Sequence, residues 1–142
     1  MKWITSIWIT LIAVVICFSA CKKDSVEPNS IIGKWELTNH NVISNGLLSY
    51  NFDYQKGKSY IYHFKSDETL TLSDADSVLY HGNYKLDSVK LSIHLIISPG
   101  IENFGVHNYS ISNTSLTLFN KGHDLSGEFT ETFIYRRLSN RW

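Results

Sequence analysis

The chain has 142 residues with 13 basic and 13 acidic side chains, so its formal net charge is zero. Because there is no overall basic surplus, we expect no nucleic-acid partner. Its two cysteines, Cys17 and Cys21, both lie near the N-terminus. The rest of the chain therefore forms no internal disulfide and must be held together by packing alone.

Residues 1–20 predict an export signal. A lysine at position 2 gives a short positive start, and residues 4–18 form an apolar run of about 15 residues, shorter than the ~20 that a spanning helix needs. The run ends in Phe18-Ser19-Ala20-Cys21, where a bulky residue and two small ones precede a cysteine. This motif resembles the lipobox of bacterial lipoproteins. The resemblance implies that Cys21 carries fatty acyl chains and becomes the mature N-terminus.

Two other interpretations of this segment are an uncleaved N-terminal anchor and an ordinary secretory signal. Ordinary cleavage requires small residues at −1 and −3, and Phe18 at −3 disfavours it. Two or more acyl chains hold a protein stably on a membrane. Because the segment after Cys21 is polar and has no periodic pattern, we expect residues 21–30 to form a flexible tether. We expect a lipid anchor in the cell envelope of a Gram-negative-type bacterium, in the outer membrane. The sequence leaves open which side of the membrane the protein faces.

Residues 31–138 predict one all-β domain, followed by a C-terminal tail at 139–142. Apolar and polar residues alternate with period two in short runs bounded by Gly, Asn, Asp or Ser. Predicted turns include 44–46, 66–68 and 121–123. The spacing favours an antiparallel up-and-down β-barrel of about 8–9 strands, with a sandwich as the alternative. The predicted strands are 32–39, 48–54, 59–65, 69–73, 78–86, 90–98, 106–112, 115–120 and 128–138.

Three segments of this domain resemble a known family. Ile32-Gly33-Lys34-Trp35-Glu36-Leu37 resembles the G-x-W opening strand of lipocalins and of lipocalin-like bacterial lipoproteins. Residues 62–70 and 82–86 resemble two recurring hairpin segments of that lipoprotein family. The resemblance covers residues 31–138, and it implies a lipocalin-like barrel.

Three residues are predicted to close one end of this barrel. Trp35 supplies a large, stiff plug, because an indole buries more area than other side chains. Gly33 permits close backbone approach where the strand bends. Arg137 shares its strand parity with Phe133 and Tyr135, so we expect Arg137, rather than its neighbour at 136, to stack on the indole in a cation–π contact.

The barrel interior has two interpretations. Tyr60, Tyr62 and Phe64 share one face of a strand and form either a packed core or the wall of a cavity. With Tyr50 and Phe52, they are our candidates for binding a small apolar ligand. The alternative is a non-catalytic surface or periplasmic interaction module with a filled barrel, whose loops at 40–47 and 99–105 bind an unknown protein partner.

The sequence predicts no enzyme, no metal site and no cofactor. The histidines occur on separate predicted strands and loops without metal-binding spacing. The chain contains no G-x-S-x-G motif and no glycine-rich phosphate loop. The six histidines are His40, His63, His81, His94, His107 and His123.

Overall fold

The computed structural model describes residues 29–75, 77–125 and 127–138. The predictions about the signal, Cys21, most of the tether and the C-terminal tail lie outside these residues. The described strands are β1 (Gly33–Ser44), β2 (Leu47–Asp53), β3 (Ile61–Phe64), β4 (Thr69–Ser73), β5 (Val78–Leu86), β6 (Lys90–Ser98), β7 (Ile101–Ile111), β8 (Ser115–Asp124) and β9 (Gly127–Arg137).

These strands confirm the predicted all-β, up-and-down barrel. β3 to β9 pair antiparallel in chain order, and β1 pairs with both β3 and β9, so eight strands close into a ring. β2 is an additional strand that pairs with the second half of β1. Within the described ranges, no helix is long and apolar enough to cross a membrane.

The tight turns predicted from Gly and Asn are partly confirmed. Asn45 and Gly46 connect β1 to β2 with φ values of 50° and 77°, which is the left-handed geometry that a two-residue hairpin turn requires. The predicted turn at 121–123 is wrong, because β8 runs through it. Gly122 lies opposite Phe129, and a Cβ there would come within 2.4 Å of the Phe129 ring. The glycine therefore permits a close side-chain approach rather than a turn.

The two predicted binding loops are also wrong. β1 continues to Ser44, and β7 already begins at Ile101, so most of 40–47 and 99–105 is strand. Each connection at these places shrinks to a two-residue turn, at 45–46 and at 99–100. Pairing with the neighbouring strand extends both hairpins beyond the residues in which apolar and polar side chains alternate regularly.

The barrel core lies at the end where β1 begins, which we call the lower half. This half also contains the connections 65–68, 87–89 and 112–114. Its central apolar side chains are less than a tenth exposed, and partly buried side chains such as Tyr62 and Ile111 pack against them, so the described residues fill this half. The buried apolar side chains are Ile31, Trp35, Leu37, Phe64, Leu70, Tyr84, Leu91, Ile93, Leu95, Leu116, Leu118 and Tyr135.

Trp35 is the centre of the closed lower end. Its side chain is 0% exposed, and its indole N–H donates to the Ile31 carbonyl at 2.6 Å. The guanidinium carbon of Arg137 lies 4.4 Å from the centroid of the indole. This is the partner that the alternation of the last strand predicts. Arg137 also donates to the Ser30 carbonyl, which ties the incoming chain to the end of β9.

The connection between β2 and β3 covers the outer face of β1. β2 and β3 follow the same edge of β1 in the same direction, and residues 54–60 bulge out between them. Beneath this bulge Glu36 is 1% exposed, although it lies on the outward face. The Gly57 N–H donates to one carboxylate oxygen, and Arg136 donates to the other through Nε at 2.8 Å. A buried charge of this kind requires such partners.

Replacing Trp35 by alanine should cost about 3–5 kcal/mol of unfolding free energy, because a buried large aromatic and its cation–π contact are lost. Small domains have only about 5–15 kcal/mol in total, so the variant should be marginally folded. Urea unfolding of the 22–142 fragment measures the change. A loss below about 1 kcal/mol would contradict the role of Trp35 in closing the barrel.

Candidate functional site

A β-bulge determines which side chains of β1 face the interior. Residues directly opposite each other in an antiparallel pair lie on the same face of the sheet. Leu37 pairs with buried Tyr135, but the register shifts at Thr38, whose hydroxyl donates to the Ile134 carbonyl at 2.9 Å. The extra residue reverses the alternation. Beyond the bulge, even-numbered residues such as His40 therefore face inward.

Above the core, the inward side chains are not covered. Tyr50 pairs with Val42 and Phe52 pairs with His40, so both rings lie on the inward face of the sheet. They are nevertheless 44% and 48% exposed. We call this region the upper interior, and it is formed by His40, Val42, Tyr50, Phe52, His107, Asn120, Phe129, Glu131 and Phe133.

A histidine–carboxylate pair lies within the upper interior. His40 Nε2 is 2.9 Å from Glu131 Oε1, and both side chains are partly buried. The His40 ring stacks on Phe133, with centroids 4.3 Å apart, and meets the Tyr50 ring edge-on at 5.1 Å. Aromatic packing on two sides fixes the orientation of the imidazole. The carboxylate is thereby held beside aromatic surface.

A second histidine lies close to this pair. His107 Nδ1 is 3.0 Å from the side-chain amide of Asn120. Its ring meets Phe133 edge-on at 6.3 Å, on the same aromatic side chain that His40 contacts. Burial lowers the pKa of His107 below its usual value, and the Glu131 carboxylate opposes this shift in part. His107 is therefore a largely uncharged hydrogen-bonding group at neutral pH.

A cavity of about 420 Å³ opens at the top of the upper interior. Its lining combines carboxylate, hydroxyl and apolar groups, which is typical of a small-molecule site with a few polar contacts. No group of three or more His, Cys, Asp or Glu side chains in the described part of the chain is arranged to hold a metal ion. The cavity is lined by Val42, Ser44, Ser49, Asp124, Phe129 and Glu131.

The five aromatic residues predicted to bind a ligand divide into two groups. Tyr50 and Phe52 belong to the upper interior. Tyr60 lies in the connection before β3 and is about half exposed, while Tyr62 packs between Phe64 and Tyr135. Burial raises the pKa of Tyr62 to about 12. Phe64 is fully buried against Tyr84, so it fills the lower half and has no surface available to a ligand.

Sequence reasoning missed the polar members of the upper interior. The histidines stand on separate strands without a recognisable spacing, and the bulge at Thr38 leaves no sequence signal. One signal was visible. Glu131 shares its strand parity with Phe129 and Phe133, so a charged side chain falls on the apolar face of the last strand, where it requires a functional or structural partner.

Comparison of the chain with protein-family models, curated proteins and solved structures finds no match. The geometry of the upper interior is therefore the basis on which a function can be inferred.

The lowered pKa of His107 predicts a loss of stability in acid. In the unfolded chain the pKa of histidine is about 6.5, so the unfolded chain binds a proton more tightly than the folded chain does. The unfolding free energy should therefore fall as the pH drops below about 6.5. Burial and two nearby lysines also lower the pKa of His63. His107→Gln should therefore remove only part of the pH dependence.

Urea unfolding at about pH 7.5 and about pH 5.5 measures this effect. The control is His123→Gln, the same substitution at an exposed position near the end of β8, and His107→Gln should change the pH dependence more than this control does. If His107→Gln changed it no more than the control, the buried, uncharged state of His107 would be contradicted.

Proposed function

We propose that this chain is a lipid-anchored, lipocalin-like binding protein that holds a small, largely apolar ligand in its upper interior. The observation that carries the proposal is the contrast between the two halves of the barrel. The lower half is filled by its own side chains, whereas the inward rings of Tyr50 and Phe52 in the upper half remain about half exposed. Covering such rings with a ligand stabilises a complex by about 25 cal/mol per Å² of apolar surface.

The polar groups of the upper interior would orient a bound ligand. The His40–Glu131 pair and the His107–Asn120 pair both lie beside Phe133. Partly buried groups of this kind add specificity to a mainly apolar site, because a ligand must match their hydrogen bonds. A ligand with one polar end and an apolar body fits this combination.

The position of the chain entry determines how the proposed lipid anchor would orient the barrel. Arg137 holds Ser30 at the closed lower end, and the nine residues from Cys21 to position 29 span at most about 30 Å when fully extended. A lipid on Cys21 would thus hold the lower end near the membrane. The upper interior would then face away from the surface and remain accessible.

Replacing Tyr50 or Phe52 by alanine should weaken binding of a fluorescent fatty-acid or retinoid-like probe several-fold, since ~1.4 kcal/mol corresponds to tenfold. The matched control is Leu48→Ala on the same strand. Leu48 is 63% exposed and pairs with Ile43 on the opposite face, so this variant should bind as the wild type does. Fluorescence titration measures the affinity.

Tyr62→Ala gives a contrasting expectation. Tyr62 packs on Phe64 and Tyr135, so its loss should lower the unfolding free energy by about 3–5 kcal/mol. Urea unfolding reports this loss beside the probe titration. A flat probe titration with folded wild-type protein would contradict the ligand-binding proposal.

A non-catalytic interaction module is the second candidate function. The observation that favours it is the edge of β2: in the described parts of the chain, β2 has one ladder partner, β1. An unpaired strand edge is a template for adding a strand from another protein. Folded protein without probe binding would leave this candidate standing.

The proposed anchor has its own test. Cys21→Ala should abolish metabolic labelling with an alkynyl fatty acid and release the protein from the membrane fraction or leave an uncleaved precursor, because the acyl chains provide the attachment. Cys17→Ala is the matched control and should keep the label. Wild-type protein that takes up no label would disprove the lipoprotein assignment.

A further inference from the structure

The charged side chains of the upper interior are unsuited to an anionic ligand. Among the described residues that form this region or line its cavity, none is lysine or arginine, whereas Glu131 and Asp124 are acidic. Because Asp124 has a contact of its own within the chain, Glu131 is the carboxylate considered for a ligand. An anionic ligand would lie beside this carboxylate with no lysine or arginine to offset the repulsion, which lowers affinity.

Glu131 can accept further hydrogen bonds from a ligand. In the described part of the chain its hydrogen-bond partner is His40, whose Nε2 lies 2.9 Å from Oε1. A carboxylate has two oxygens with about four lone-pair positions, so Oε2 can accept a bond from another donor. The Glu131 side chain is 33% exposed and lines the cavity, so a ligand in the cavity can reach it.

His107 supplies a second acceptor near Glu131, whose charge acts on the pKa of this histidine. The Asn120 amide makes the most hydrogen bonds when its nitrogen donates to the carbonyls of Phe119 and Val106, at 2.9 and 3.0 Å. Its oxygen then accepts from His107 Nδ1 at 3.0 Å. Because an uncharged imidazole carries one proton, that proton lies on Nδ1, and Nε2 is an acceptor. Two acceptors match a ligand whose polar end donates hydrogen bonds.

The aromatic rings of the upper interior favour a cationic donor over a neutral one. Phe129 lines the cavity together with Glu131. The rings of Tyr50 and Phe52 lie on the same inward face and remain 44% and 48% exposed. The face of an aromatic ring carries partial negative charge, so it attracts an ammonium group and disfavours a carboxylate. Rings and carboxylate therefore select for the same sign of charge.

We propose that the ligand of the upper interior is a cationic amphiphile, an organic ammonium compound rather than a fatty acid. Its ammonium head binds Glu131 in the cavity of about 420 Å³, and its apolar body covers Tyr50 and Phe52. This inference rests on the proposed ligand site and adds the charge of the ligand. A fatty acid would use the same apolar surface but would bind more weakly, because its head repels the carboxylate.

Three water-soluble compounds with one apolar body and different heads test the charge of the ligand. They are phenylbutylamine, phenylbutanol and phenylbutyrate, titrated into the full chain in a neutral detergent by isothermal titration calorimetry. At about pH 8 an alkylamine is protonated, as is a lysine side chain with its reference pKa of about 10.4. We expect the amine to bind about tenfold more tightly than the alcohol, and the alcohol more tightly than the carboxylate.

Glu131→Gln separates the charge of this side chain from its shape. Glutamine keeps the size of glutamate, so the variant should lose about tenfold in affinity for the amine and bind the alcohol as the wild type does. The matched control is Glu128→Gln, which makes the same charge change at an exposed position of the same strand. This control should keep the wild-type preference for the amine.

The outcomes distinguish this inference from the proposed function. If the alcohol or the carboxylate binds as tightly as the amine, the ligand site is retained and the cationic ligand is overturned. A preference for the amine that survives Glu131→Gln, or that Glu128→Gln reduces equally, overturns the role of Glu131. No saturable binding of any of the three compounds overturns the ligand site and this inference with it. The comparison of heads uses wild-type protein, so it stays decisive if Glu131→Gln does not fold.

Discussion

The whole molecule depends on the first strand and on the ladders that it shares. β1 pairs with β9 on one edge and with β3 and then β2 on the other. A sheet closes into a barrel only when its ends pair, and closure by β1 joins the eight ring strands without an open edge between β3 and β9, while β2 keeps one open edge. The cation–π contact between Arg137 and Trp35 adds roughly 0.5–2 kcal/mol at the end of this seam, in a chain whose barrel segment has no disulfide.

The same strand connects the filled half of the barrel to the open half. Below the bulge at Thr38, β1 contributes Trp35 and Leu37 to a close-packed core, and above it contributes His40 to a partly polar interior. Interiors of natural proteins are packed to crystal-like density, so uncovered inward rings are an exception. The close-packed core lies in one half of the molecule, and the proposed binding uses the other half.

The fold was largely predictable from the sequence, whereas the site was predictable only for its aromatic members Tyr50 and Phe52. Alternation located every strand, and it gave both ends of β4, β5 and β6, because period-two burial is a local property. It also identified Arg137 as the partner of Trp35. Beyond the bulge in β1, the alternation no longer predicts which side chains face inward. One extra residue exchanges the inward and outward positions of the strand without altering the local composition. Glycine was equally ambiguous: Gly46 forms a turn, whereas Gly122 makes room for a ring.

The bond between Arg137 and the Ser30 carbonyl has a mechanical consequence. If the proposed lipid anchor is present, a pull on the N-terminal segment enters the barrel at this bond and is transmitted into β1, which has ladders on both edges. The load is then spread over hydrogen bonds of two neighbouring strands in the best-packed part of the molecule. Thermal motion of such an anchor would consequently strain the closed lower end first, and the geometry of the upper interior would be little affected.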